Sequence, residues 1–176
     1  MELYFLRHAS AGESVANPKK DEKRSLDEEG VLQTRYIGRM LAQLDIQLDL
    51  IISSPLVRAM QTASIAANEL AYEGKIELGL ALRPEAKFED FREMLKRHAK
   101  ADSVMVVGHN PSLSEFLGRL VGNPAAPANI ELKKGAVARV EVRGKSARLL
   151  WMITPKIARV LHPTLKSSSR PKTSRK

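Results

Sequence analysis

Short apolar runs set between helical segments constrain this chain more than any other feature. Leu3–Leu6, Leu48–Ile52 and Val104–Val107 are brief, mostly apolar and bounded by polar residues. A strand with one wet face alternates apolar and polar residues, whereas a near-continuous run marks a strand covered on both faces. Between these runs, Ile37, Met40, Leu41 and Leu44 recur at helical spacing. They predict a helix over 27–44, with Ser25 and Glu28 as its capping box. Ser54-Pro55 predicts another helix start, Ser54 as N-cap and Pro55 in the first turn, continuing to about Leu70. Further helices are expected over 88–99, over 113–121 up to Gly122, and after Thr154-Pro155, with a brief edge strand over 76–78. Residues 137–142 alternate with period two, and 149–153 supply a partner across the 143–146 turn. The expected fold class is therefore α/β, a three-layer α/β/α arrangement whose mainly parallel sheet ends in an antiparallel C-terminal edge hairpin.

A length of 176 residues suits one domain, expected over 1–165. Hydrophobic residues at 43 % against 28 % charged are enough to build a core. Lys166, Arg170, Lys172, Arg175 and Lys176 are five of the 29 basic residues and stand in a stretch with no acid, so the net charge of +9 falls to +4 without them. That Ser/Pro/Thr-rich tail, 166–176, is expected to be disordered because it has nothing to bury. No apolar run reaches the roughly 18 residues of a membrane span, and the N-terminus does not read as a signal peptide. A cytoplasmic protein is expected. Cysteine is absent, which excludes disulfides, thiol chemistry and thiolate metal sites. The four histidines show no metal-ligand spacing, and Gly108 and Gly118 form no dinucleotide fingerprint. Neither a metal nor another cofactor is expected.

In α/β folds, ligands gather beyond the carboxyl ends of the strands. The first strand ends in Arg7-His8, the second leads through Ser53-Ser54-Pro55 to Arg58, and the third ends in Gly108-His109. Each signal alone is ordinary: an Arg-His pair is commonly a surface ion pair, Ser-Ser-Pro a helix start, and His109 a capped loop residue. If the three strands are neighbours, two arginines and two histidines meet with no evident acid among them. Such a cluster is costly empty and favourable around a multiply charged anion, for which phosphate is the natural candidate. Helix starts near Arg58 and His109 add free N–H groups. One neutral imidazole could attack phosphorus while the other offsets charge. His8 is the better nucleophile, because Arg7 and the turn into Ala9-Ser10 hold its ring.

Three segments in order, Leu6-Arg7-His8-Ala9, Ser53-Ser54-Pro55-Leu56-Val57-Arg58-Ala59-Met60-Gln61-Thr62-Ala63 and Val106-Val107-Gly108-His109-Asn110-Pro111, resemble the histidine phosphatase superfamily, whose fold is phosphoglycerate-mutase-like. Within it the chain looks most like the small phosphohistidine phosphatases of the SixA type, over about residues 1–160. Arg24-Ser25-Leu26 and the closing 150–155 segment support that branch. The resemblance implies that His8 is the nucleophile, that Arg7, Arg58 and His109 complete the phosphate pocket, and that Arg24 stands at its mouth. Ala9 replaces a Gly found in many members, so the turn after His8 must avoid positive φ. Larger members carry a carboxylic acid that protonates the leaving oxygen. Here the 82–86 segment offers Glu85, a weak match. A phosphoramidate bond to imidazole is labile once protonated and needs no dedicated acid, which tilts the expectation towards phosphohistidine on a signalling protein.

Two rivals stand beside this expectation. One is a phosphatase of small metabolites or phosphoesters. The other is a non-catalytic phosphate- or nucleic-acid-binding protein led by its basic tail, although nucleic acid is not the expected partner. His98 is expected to be solvated on a charged helix, His162 to have no chemical role, and Trp151 to be core. The 21–24 segment reads as a solvated loop apart from Arg24. Ser10 and Ser14 could each bind phosphate or satisfy a turn.

Overall fold

Alternate residues of the central strands face two separate apolar cores, which is why those strands read as near-continuous apolar runs. Leu3, Phe5, Leu50, Ile52, Val104 and Val106 pack on one face; Tyr4, Leu6, Ile51, Met105 and Val107 pack on the other. The structure, a computed structural model, describes residues 1–122, 126–144 and 146–161. The expected basic tail and His162 lie outside those residues.

The elements run β1 (Glu2–Arg7), α1 (Pro18–Glu22), α2 (Glu28–Gln43), β2 (Leu50–Ser53), α3 (Val57–Glu69), β3 (Glu77–Leu78), a 3-10 turn (Leu80–Leu82), α4 (Phe88–Arg97), β4 (Ser103–Gly108), α5 (Ser112–Val121), β5 (Val137–Arg143), β6 (Ser146–Ile153) and α6 (Pro155–Leu161). The sheet order is β3-β2-β4-β1-β5-β6. β3, β2, β4 and β1 are mutually parallel, and β5 and β6 join antiparallel. The α/β fold class and the antiparallel hairpin edge are those read from the sequence. Phe91 of α4 and Phe116 of α5 stack at 4.8 Å in one core. Ile37 and Leu41 of α2, Ala63 of α3 and Ala158 of α6 build the other, where Trp151 lies against Tyr4 at 6.1 Å. Helices thus cover both faces, the three-layer arrangement.

Local details correct four expectations. Ser25 does not cap α2: Asp27 does, its Oδ1 accepting from Gly30 N–H at 2.7 Å. An ionised carboxylate is favoured over a hydroxyl where it meets several donors, and Asp27 Oδ2 also accepts from Ser10 Oγ and Gly12 N–H. α3 begins at Val57 with Leu56 as a cap that offers no side-chain bond, so Ser54 is not its cap. Residues 18–22 form a short helix rather than a solvated loop, capped by the Asn17 side chain. His98 is not fully solvated either; its Nε2 lies 3.6 Å from the Glu77 carboxylate.

Asp27→Ala removes the α2 cap and the anchor of the 10–12 turn together. A loss of about 2 kcal/mol in unfolding free energy is expected, the upper range for a cap. Chemical denaturation checks it, and an unchanged midpoint would show that neighbouring groups replace the carboxylate.

Candidate functional site

The sheet order brings together what the chain separates. β4 lies between β2 and β1, and Arg7 registers with Gly108 while Ser53 registers with Val107. The three carboxyl ends therefore meet. His8 N–H donates to Gly108 O at 3.0 Å, and Ser54 N–H to Val107 O at 2.9 Å, extending both ladders by one residue. His8, Arg58 and His109 are 6 %, 4 % and 2 % exposed. Their burial decides the character of the site, because charge this deep needs a partner. The imidazoles of His8 and His109 face each other at 4.9 Å between centroids.

A cleft of about 560 Å³ opens here, lined by Arg7, His8, Arg24, Arg58, His109 and Asn110 together with the 12–14 turn, Pro84 and Lys134. All five basic residues singled out in the sequence reach it. Ser14 lines it too, while Ser10 is spent on Asp27. Ala9 is absent from the described non-glycine residues with positive φ, so the turn after His8 accepts its methyl group. Thr62 holds that turn by accepting from Ala9 N–H at 3.2 Å, and Gln33 accepts from Ser10 N–H at 3.0 Å.

Among the described residues, four buried side-chain polar atoms have no hydrogen-bond partner, and three belong to this cleft: Arg7 Nε, Arg58 Nε and His109 Nδ1. Orphaned buried donors are costly, so their clustering fits a site shaped for an oxyanion. Two further donors are fixed in place. Arg7 Nη1 donates to Leu132 O at 2.8 Å, and Asn110 Nδ2 donates to the same carbonyl at 3.0 Å.

His8 Nδ1 lies 2.8 Å from Ala9 O. A carbonyl only accepts, so Nδ1 carries the proton and Nε2 holds the lone pair. His109 Nε2 meets Ser54 Oγ at 2.9 Å. Ser54, expected to cap a helix, instead orients the second imidazole. Burial pushes the His8 pKa down to about 4; the bond to Ala9 O opposes this, and Arg58, Arg7 and Arg24 add to it. Burial, then His8, Arg58 and Arg7, lower His109 to about 2. Both rings are neutral at pH 7 in the protein alone.

This makes the fold sensitive to acid. Unfolded histidines titrate near 6.5, so below that pH the unfolded chain binds protons that the folded chain refuses. The stability owed to these two rings is complete above about pH 6.5 and falls as pH drops towards 4. His109 continues the loss below that. The limiting slope is about 1.4 kcal/mol per pH unit for each ring. Denaturant unfolding at pH 7, 6 and 5 checks it, with His109→Gln expected to remove one ring's share; equal slopes in the two proteins would contradict it.

The sequence showed no acid in the cluster, and the structure supplies one. Asp21 Oδ2 lies 3.2 Å from Arg58 Nη1, and its Oδ1 accepts from Arg24 Nε at 3.0 Å. Its backbone oxygen also accepts from Arg58 Nη1 at 2.8 Å. Burial raises the Asp21 pKa, but the bonds from Arg24 and Val15 N–H and the charge of Arg58 outweigh it and hold it below the usual carboxylate range. No sequence signal marks that pairing, since 37 residues separate Asp21 from Arg58. Glu13 also lines the cleft and was not anticipated; only its place after Gly12, whose φ is 66°, sets it apart. Glu85 is engaged elsewhere. Arg83 Nε donates to its Oε1 at 2.6 Å and lowers its pKa, so it rests ionised and pinned.

The sequence profile described as "Histidine phosphatase superfamily (branch 1)" matches residues 3–88, which include Arg7, His8, Arg24 and Arg58. An uncharacterized protein of Picosynechococcus sp. is 35 % identical over 152 residues, covering 85 % of this chain and 88 % of its own. The chain belongs to the histidine phosphatase superfamily. As a member it is a phosphatase, a hydrolase whose substrate is phosphorylated. Among solved structures, the protein histidine phosphatase SixA complexed with tungstate shares the fold, with a TM-score of 0.80 at 21 % identity over 89 % of this chain and 98 % of that one. The serine/threonine-protein phosphatase Pgam5 of Drosophila persimilis is 39 % identical over 71 residues, 40 % of this phosphatase but only 24 % of that larger protein. No helix among the described residues of the phosphatase is long and apolar enough to cross a membrane.

Proposed function

We propose that this phosphatase transfers the phosphoryl group of a protein phosphohistidine to His8 and then to water. The observation that carries the reading is the fixed tautomer of His8: Nδ1–H is committed to Ala9 O, and the ring is neutral, so Nε2 offers its lone pair in a cleft lined by three guanidiniums. In the first step the Nε2 lone pair forms a bond to phosphorus as the substrate's P–N bond breaks. The electron pair of that bond stays on the leaving imidazole nitrogen, and the ring departs neutral because its other nitrogen has already taken a proton from solvent. In the second step water attacks phosphorus, the Nε2–P bond breaks, and its electron pair returns to the ring.

Arg7, Arg58 and Arg24 bind the non-bridging oxygens and align the group for in-line attack. His109 donates from Nδ1–H while the Ser54 hydroxyl donates to its Nε2, which employs the otherwise unpartnered nitrogen. Asp21 holds Arg58 and Arg24 in position from behind. An imidazole leaving group needs no strong acid, and Glu85 is not poised to be one.

A second reading, a phosphomonoesterase, is favoured by Glu13, a carboxyl group on the cleft wall that could protonate a departing alkoxide. Rates on a phosphohistidine protein and a panel of phosphate monoesters, each with Glu13→Gln beside the unchanged protein, separate the two. The phosphohistidine reading expects higher kcat/KM on the phosphohistidine protein and less than about threefold change on Glu13→Gln. Faster monoester turnover that collapses in Glu13→Gln would establish the second reading instead.

A further inference from the structure

Beside the cleft lies a second hollow, a groove of about 590 Å³ between α2, the turn before β5 and the start of α6. Lys133, Lys134, Lys156 and Arg159 line it, against a single acid, Glu29. Lys133 is paired with Glu131, but Lys134, Lys156 and Arg159 have no ion pair among the described residues. Lys134 lines both hollows.

The partition between groove and cleft is thin. Gly135, with φ 69°, donates its N–H to His8 O at 3.1 Å, and a Cβ built there would come within 2.8 Å of Pro155, 3.4 Å of Gln33 and 3.5 Å of Ala9. Gln33 lines the groove while its Oε1 holds the turn after His8. A chain whose phosphorylated side chain enters the cleft, and whose backbone runs towards Lys134, reaches the mouth of the groove within a few residues, since extended backbone advances about 3.3 Å per residue.

Like charges collected in one hollow repel one another and attract an anionic occupant. We infer that this groove binds acidic residues flanking the phosphorylated side chain of a polypeptide substrate. The inference rests on the reading above that the substrate is a protein. Carboxylates of a polypeptide fit better than a fixed second phosphate. A phosphate site favours a planar guanidinium fork or a cradle of backbone N–H groups, whereas this groove offers mainly lysines, point charges on flexible stems that follow carboxylates at variable positions.

The test uses the full chain and two pairs of synthetic peptides, one pair carrying phosphohistidine and the other phosphoserine. Within each pair the flanking residues are Asp and Glu or their amides Asn and Gln. The acidic peptide is expected to have roughly tenfold higher kcat/KM, through KM, which is what a few exposed ion pairs can supply. The double variant Lys156→Ser/Arg159→Ser is expected to lose that preference while keeping its rate on p-nitrophenyl phosphate, and 0.5 M salt is expected to shrink it by screening (a Debye length of roughly 4 Å). Equal kcat/KM on acidic and amide peptides, or a preference that survives the double variant, would overturn the inference. Turnover of the phosphoserine pair alone removes phosphohistidine as the substrate, yet the acidic preference within that pair still decides the groove. Turnover of p-nitrophenyl phosphate but of neither peptide pair overturns both.

Discussion

His8→Ala is expected to lower turnover by at least about 10⁴-fold, the scale on which loss of a covalent nucleophile acts. In the proposed mechanism His8 is the nucleophile, and the second imidazole is not placed to replace it. His109 is engaged with Ser54 through Nε2, and in that mechanism its Nδ1 carries a proton and has no lone pair to offer. The fold should survive. The substitution leaves Ala9 O without its imidazole donor, a cost of about 1–3 kcal/mol. It also removes a desolvated ring crowded by cations, which offsets part of that cost. A melting temperature within about 5 °C of the unchanged protein is expected. Burst-phase trapping with labelled substrate gives the complementary readout: an acid-labile phosphoryl label on the unchanged protein and none on the variant. A variant that retained more than a tenth of the original rate would show that phosphorus is attacked by something else.

Arg58→Ala is expected to lower kcat/KM by about 10²- to 10³-fold, the usual consequence of losing one preorganised donor aimed at developing charge. The reason lies in how the guanidinium is held. Asp21 grips Nη1 from one side, burial excludes water, and Nε is left unpartnered. Nothing else fixes a donor there. Arg58→Lys keeps the charge but loses the fork, so it is expected to recover only part of the activity. Arg39→Ala is the control: it removes an exposed guanidinium that pairs with Glu69, and no change in rate is expected. The fall in kcat/KM for Arg58→Ala should far outrun any change in melting temperature. A parallel loss of both would mean that Arg58 is only scaffolding for α1.

The strands and their unusual ends were legible because the relevant signals are local. A two-faced strand must be apolar along its length, and Arg7-His8, Ser53-Ser54 and Gly108-His109 stand directly at strand ends. The long helices were legible for the same reason. The caps were less so. Ser25 and Ser54 both carry the right chemistry for a cap, but Asp27 is an ionised competitor two residues from Ser25, and His109 claims the hydroxyl of Ser54. Asp21 reads as solvated in the sequence and Glu13 carries no signal there, because their neighbours in space are remote in the chain or placed by a turn at Gly12. The 18–22 helix is too short to announce itself by periodicity, and it is the element that carries Asp21 to Arg58.

By itself, the order of residues determined which segments become covered strands, which become amphipathic helices, and that basic side chains stand where strands stop. Those outcomes depend on neighbours within a few positions. Only the folded chain decided that β4 inserts between β2 and β1, that two imidazoles come within 4.9 Å, and that a carboxylate from α1 backs the arginines. Crossovers and ion pairs across dozens of residues are selected by burial and charge balance over the whole molecule, and no local pattern encodes them.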